Sequence, residues 1–243
     1  MDLHQIVFGV YPYLCLGTFV LGSWIRFDNE QYTWKSDSSQ LLSKTGMRAL
    51  SNLFHIGVIA IFFGHFVGLL TPHAVFQALG VSDMAHQGIA ILAGGIFGSM
   101  ALIGGVGLWL RRLFNKRVRS ASRWMDINIL GWIVLTLIMG LSTLPVSIGH
   151  AEHGDPTVML RLADWVQSVV TLQPNPELLR GVDTVFKVHI FLGLSVFLFF
   201  PFTRLVHIWS GFASVAYLFR PYQLVRSRRL NLPAGHNTPR RVL

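Results

Sequence analysis

Charged residues are missing from long stretches of this chain and crowd into a few short ones. Residues 3–25 carry no full charge, and neither do 49–82, 84–110 and 127–151. A fifth apolar run, 182–209, is less clean, with Lys187 near one end and Arg204 near the other. Long basic side chains at helix ends can reach the headgroups, so neither residue disqualifies the run. Each run holds the roughly 20 helical residues that a bilayer core requires. Pro72 should end the second helix near Leu70, because it has no N–H and restricts the residue before it. The pattern therefore predicts an all-α integral membrane protein built as a bundle of five transmembrane helices. The first run follows Asp2 and has no basic leader, so it reads as a span and not as a cleaved signal.

The segment 149–181 contains one more helix. Asp155-Pro156 has the form of an N-cap followed by proline at the first helical position. Val158, Leu162, Trp165, Val166 and Val169 then share one face, which predicts an amphipathic helix resting on the outer membrane surface. Residues 231–243 hold two prolines and few apolar side chains and read as a disordered cytoplasmic tail. Residues 1–230 are left as a single membrane domain.

Charge supplies the orientation. The net charge is +9, and its distribution matters more than its size. Basic residues collect in 26–48 (Arg26, Lys35, Lys44, Arg48), in 111–123 (Arg111, Arg112, Lys116, Arg117, Arg119, Arg123) and in the tail. The alternate loops hold only Arg161 and Arg180. The excess of Lys and Arg on cytoplasmic loops places the N-terminus outside and the C-terminus in the cytoplasm. The basic loops thus report topology and imply no nucleic-acid partner.

Composition agrees and adds one exclusion. Of 243 residues, 52% are hydrophobic and 13% charged, about half the charged share of soluble domains. The mean hydropathy is +0.51. Cys15 is the single cysteine. It rules out a disulfide within the chain, a Cys-ligated zinc or iron–sulfur site and a CxxCH haem attachment.

Histidine carries the candidate chemistry. Four of ten lie within spans: His55 and His65 in the second, His189 and His207 in the fifth. The two helices run in opposite directions, so His55 matches His207 near the inner face and His65 matches His189 near the outer face. Facing imidazoles are the usual axial ligands of a low-spin b-type haem, here held non-covalently. Two haems, one near each membrane face, would form a transmembrane electron path. The spacings fit unevenly. Along a straight helix, the 18 residues from His189 to His207 rise about 27 Å, and the 10 from His55 to His65 rise about 15 Å. Tilt of helices and haem planes is the expected remedy. His73 is also 18 residues from His55, but it follows Pro72, which favours His65. Gly64 and Gly68 flank His65 and let a flat ring or a helix approach. Ala90, Gly94 and Gly98 repeat that spacing in the third span, where helix packing is the plainer account. Arg111, Arg112 and Arg204 are placed to hold the inner haem's propionates, though topology alone also explains the first two.

Several motifs are familiar. Tyr11-Pro-Tyr13, Gly22-Ser-Trp24, Gln31-Tyr-Thr-Trp34 and Ser38-Ser-Gln40 come first. Ala49 to Gly57 (ALSNLFHIG), Gly64-His65 and Leu70-Thr-Pro-His73 follow. Arg112-Leu-Phe114, Trp165 to Thr171 (WVQSVVT), Phe200-Pro-Phe202, Arg204, His207 to Ser210 and Tyr222 to Arg226 complete the set. Over residues 6–228 the chain resembles the gamma subunit of membrane-bound respiratory nitrate reductase. That resemblance implies a five-span cytochrome b with two b haems, whose ligand positions fall on His55, His65, His189 and His207. It implies oxidation of menaquinol or ubiquinol near the outer haem. Electrons would pass to a cytoplasmic iron–sulfur (beta) subunit and then to a molybdenum-containing catalytic (alpha) subunit. The location would be the cytoplasmic (inner) membrane of a bacterium or archaeon, with lipid as a constant neighbour.

Within that reading, His86 at the outer start of the third span is the candidate hydrogen-bond partner of quinol, with Gly64 and Gly68 admitting the ring. His73, His150 and His153 are outer-side alternatives. The inner loops, with Tyr32 and Trp34, would dock the partner subunit. Two rivals remain open at this level. One is a related di-haem cytochrome b serving a sulfur-compound or disulfide reductase. The other is a haem-free anchor or transporter, for which coupling carboxylates within spans are expected and none is seen.

Overall fold

The computed structural model describes residues 2–30, 34 and 46–210. Residues Met1–His207 form one compact unit and Ile208–Leu243 a second. The five spans lie in the first unit: Leu3–Asn29, Met47–Leu70, Asp83–Phe114, Trp124–Glu152 and Thr184–Phe202. No strand occurs among the described residues. The expected tail, 231–243, and Tyr32 lie outside the described residues.

Span 2 ends at Leu70, as Pro72 requires, and the chain turns into a short helix at His73–Ala78. Span 3 is capped by Ser82, which accepts the Ala85 N–H at 3.2 Å. Span 4 is interrupted at Thr143, ahead of Pro145, between Trp124–Ser142 and Leu144–Glu152. Span 1 contains two wide π turns, at Ile6–Val10 and Thr18–Gly22. Span 5 is helical over Thr184–Phe199, then tightens into 3-10 turns at Phe200–Phe202 and Arg204–Val206. Pro201 lies in the first of those turns, where it cannot continue the α-helical bonding.

In lipid, helices gain little from burying apolar surface against each other, so association depends on close approach and hydrogen bonds. Spans 2 and 3 meet backbone to backbone. A Cβ on Gly57 would stand 2.6 Å from the Phe97 carbonyl oxygen. A Cβ on Gly104 would collide with the Phe54 amide. Gly98, in the small-residue repeat, takes the Leu141 side chain of span 4. Span 4 then lies along span 5, and span 5 along span 1, giving the neighbour order 2–3–4–5–1. Trp109 Nε1 donates to the Ile127 carbonyl (3.1 Å), and Trp132 Nε1 donates to that of Leu192 (3.2 Å). Tyr11 stacks on Phe191 and bonds Ser195 Oγ at 2.8 Å, which fastens span 1 to span 5. Ile59, Phe62, Phe63, Leu92 and Ile103 remain exposed, as lipid-facing side chains should.

The amphipathic helix forms at Thr157–Val170. Its N-cap position is Pro156, one residue later than expected, but Asp155 still accepts the Thr157 N–H at 2.9 Å. Hydrogen bonding to Thr157 holds the Asp155 carboxyl below the usual carboxylate range. All five residues of the predicted apolar face join a core with Phe8, Leu179, Val182 and Phe186. The expectation of a helix resting on lipid is therefore corrected, because protein covers its apolar face. Pro12 contributes to this arrangement. It cannot donate to the Phe8 carbonyl one turn earlier, and that oxygen accepts Trp165 Nε1 at 3.0 Å. Trp165→Phe keeps the ring but leaves a buried carbonyl without this donor. It should destabilise the protein by about 1–3 kcal/mol, read as a lower melting temperature in detergent. An unchanged melting temperature would remove this bond from the account of the fold.

Candidate functional site

The four intramembrane histidines come together in two pairs. His55 and His207 have ring centres 6.5 Å apart with planes at 75°. His65 and His189 stand 6.1 Å apart at 46°. A metal–imidazole bond is about 2 Å and a ring nitrogen lies about 1 Å from its ring centre. Two imidazoles on opposite sides of one ion therefore have centres about 6 Å apart. Both pairs have that separation.

Their hydrogen bonds set the tautomers. His55 Nδ1 bonds the Ser51 carbonyl (2.7 Å), and His65 Nδ1 bonds that of Ile61 (2.9 Å), each one turn back along span 2. His189 Nδ1 bonds the Thr136 carbonyl of span 4 (3.1 Å). His207 Nδ1 bonds the Arg204 carbonyl (2.6 Å). A carbonyl only accepts, so each Nδ1 must carry the proton and each Nε2 keeps a lone pair. That is the state of a metal-ligating imidazole with its other nitrogen anchored. A porphyrin supplies four equatorial nitrogens and asks the protein for two axial ones, so the residues fit a bis-histidine haem at both levels. Among the described residues no group of three or more His, Cys, Asp or Glu converges, so any metal here draws on pairs.

The structure also explains the uneven spacing along the sequence. His207 is not on the helix that carries His189. The 3-10 turns, with extended Thr203 between them (φ −122°, ψ 179°), interrupt it. The straight-helix rise of about 27 Å does not apply, and the expectation that tilt alone absorbs the difference is corrected. His73 is paired elsewhere: its Nε2 lies 3.3 Å from the Asp164 carboxylate.

Other candidates divide. His86 is 7% exposed, lies with its ring centre 4.1 Å from that of Phe76, and has a buried Nδ1 with no hydrogen-bond partner. Its Nε2 would be 3.3 Å from a Cβ on Gly68. His86 and Gly68 are thus in contact, one turn of helix from His65. Nothing lies within 4 Å of a Cβ on Gly64. His150 faces Asp183 at 3.9 Å, and His153 bonds the Gly149 carbonyl. Arg112 is buried and donates to Ser122 Oγ at 2.8 Å, so at least part of its guanidinium serves the loop after span 3. Arg111 sits half-buried in the last turn of span 3, and Arg204 half-buried one turn before His207. Trp34 packs edge-on against Phe27.

Two supporting residues escaped the sequence reading. Gly140 lets the His189 ring reach the Thr136 carbonyl, since a Cβ there would stand 2.8 Å from His189 Cε1. Arg26, counted only as a topological charge, bonds two carbonyls at the break in span 5. Neither has a local sequence signal, because each acts on a different span.

A family model describing the nitrate reductase gamma subunit matches residues 4–228. The chain belongs to the nitrate reductase gamma-subunit family. It is 49% identical over 228 residues to the respiratory nitrate reductase 2 gamma chain of Escherichia coli K12, covering 93% of this chain and 98% of that one. Identity to the respiratory nitrate reductase 1 gamma chain of the same organism is 47% over 227 residues, with the same coverage. The nitrate reductase gamma chain of Bacillus subtilis 168 is 37% identical over 224 residues, or 92% of this chain and 98% of that one. The chain is accordingly a multi-pass membrane subunit of a respiratory nitrate reductase.

The contact at Gly140 is testable by stability alone. Gly140→Ala should destabilise this gamma subunit by about 1–3 kcal/mol through overpacking against His189. In a His189→Ala background the same change should cost much less. Additive losses in that double-mutant cycle would show that Gly140 does not make room for His189.

Proposed function

We propose that this chain is the quinol-oxidising, di-haem cytochrome b subunit of its complex. Electrons from menaquinol or ubiquinol at the outer side pass through two b haems to a cytoplasmic iron–sulfur (beta) subunit. Nitrate is reduced on the molybdenum-containing (alpha) subunit. The observation that carries this reading is the pair of 6.1 Å and 6.5 Å imidazole spacings, each with its Nδ1 atoms anchored to carbonyls. When bound, each haem takes up and gives up one electron at a time.

The chain's own groups do the rest. His55 and His207 would hold the inner haem, and His65 and His189 the outer one. Their carbonyl bonds fix the ring planes and make Nε2 a better donor. Arg111, Arg112 and Arg204 would supply positive charge for propionates at the inner end. Quinol gives up two protons as well as two electrons, and His86 is placed to receive the first. Its Nδ1 lacks a partner, its Nε2 adjoins Gly68, and Gly68 is about one turn, roughly 5 Å, along span 2 from His65. The protons leave on the outer side while electrons move inward, so charge separates without a pump. The basic inner loops face the partner subunit, and the setting is the cytoplasmic membrane of a bacterium or archaeon.

A pyridine haemochrome assay should give two b haems per chain, and His65→Tyr or His189→Tyr should give one, with quinol-driven reduction lost. Zero haem in folded wild-type protein would end the cytochrome reading, and two haems in either variant would end the pairing. His86→Phe should slow quinol oxidation by about a hundredfold while the haem content stays at two. Full activity in that variant would remove His86 from the quinol site.

A further inference from the structure

Span 5 cannot hold its own break. The α-helical bonding ends at Pro201, Thr203 is extended and the Leu205 N–H turns to Thr203 Oγ1, so the Pro201 carbonyl drops out of the helical pattern, and the Thr203 carbonyl lies at the break as the N-cap of the next turn. Both residues are buried, in a setting where an unsatisfied carbonyl is costly. Arg26, in the last turn of span 1, meets both. Its Nη1 donates to the Pro201 oxygen at 2.6 Å and to the Thr203 oxygen at 2.9 Å. Gly22, one turn earlier on the same helix, lets the proline ring lie against span 1, since a Cβ there would stand 2.8 Å from Pro201 Cγ. Phe19 closes the contact edge-on against Phe200, with ring centres 4.7 Å apart. Thr203 in turn accepts the Leu205 N–H, and the Arg204 carbonyl accepts His207 Nδ1. The turn gripped by span 1 is therefore continuous with the turn that orients His207.

We propose that Arg26, seated by Gly22, is a positioning residue for His207. It fixes the break in span 5 and, through it, the plane of the imidazole facing His55, which is 75° from its partner. The proposal rests on the haem-ligand reading above. A guanidinium suits the task because it presents several donors in a rigid fork, whereas an ammonium is a single mobile point. Its reach is local: nothing in this contact touches His65 or His189.

The angle between axial imidazole planes governs the anisotropy of a low-spin ferric haem, and outer partners of a ligating histidine tune its potential. Membranes carrying the full complex with Arg26→Gln, Arg26→Lys or Gly22→Ala should therefore be compared with wild type by electron paramagnetic resonance and redox titration. Arg26→Gln and Gly22→Ala are expected to shift the low-spin signal and midpoint of one haem, the one that survives His65→Tyr. The other haem's signal should stay in place. Arg26→Lys should restore the signal part of the way. Both signals unmoved in Arg26→Gln and Gly22→Ala would overturn the proposal, as would equal disturbance of both haems. Wild-type membranes without two low-spin b-haem signals would overturn the haem reading, and the proposal with it.

Discussion

A polypeptide crossing lipid must satisfy its backbone polar groups from within, and this chain places prolines where that is hardest. At three of these places a carbonyl near the proline is met by a side chain from a distant element. Trp165 covers the Phe8 carbonyl freed by Pro12. Gln167 covers Leu69 at 3.1 Å at the end that Pro72 imposes on span 2. Arg26 covers Pro201 and Thr203 in span 5. These donors fasten span 1 to the surface helix, the surface helix to span 2, and span 1 to span 5. The helix breaks are thus the places where the bundle is tied together.

That logic divides what could be read from the sequence from what could not. Spans are legible because each is decided by its own run of apolar residues. The end of span 2 at Leu70 is legible because Pro72 acts on its immediate neighbours. The apolar face of Thr157–Val170 is legible because its period is local, but its destination is not. The same five residues suit lipid or protein, and only Phe8, Leu179, Val182 and Phe186 decide in favour of protein. The contacts of Gly140 and Arg26 have no local sequence signal for the same reason, since their partners lie on other spans.

Pairing of the histidines depends on chain direction, which alternation of the spans supplies at once. Ring orientation depends on which carbonyl each Nδ1 can reach. Within span 2 the answer is the carbonyl four residues back, available to any helical histidine of suitable rotamer. His189 instead crosses to span 4, and it can do so because Gly140 has no side chain in the way. Three routes to one tautomer, by the same helix, a neighbouring helix and a tight turn, lead to the same chemical state at Nε2. A requirement on that nitrogen explains why such different local structures agree.

The unequal spacing of the paired histidines follows from the same breaks. Ten residues on span 2 separate His55 from His65, whereas 18 on span 5 separate His189 from His207. Two continuous straight helices could not match both ends. The 3-10 turns after Phe199 take up residues in a change of direction, so the second histidine is carried by a different local axis from the first. The 10-residue interval therefore sits on an unbroken helix, while the 18-residue interval is split by a proline turn that another span holds in place. Straightening that turn would restore the mismatch at the His207 end, so the contact between span 1 and Pro201 bears on the His55–His207 pair and leaves the His65–His189 pair on its own helices.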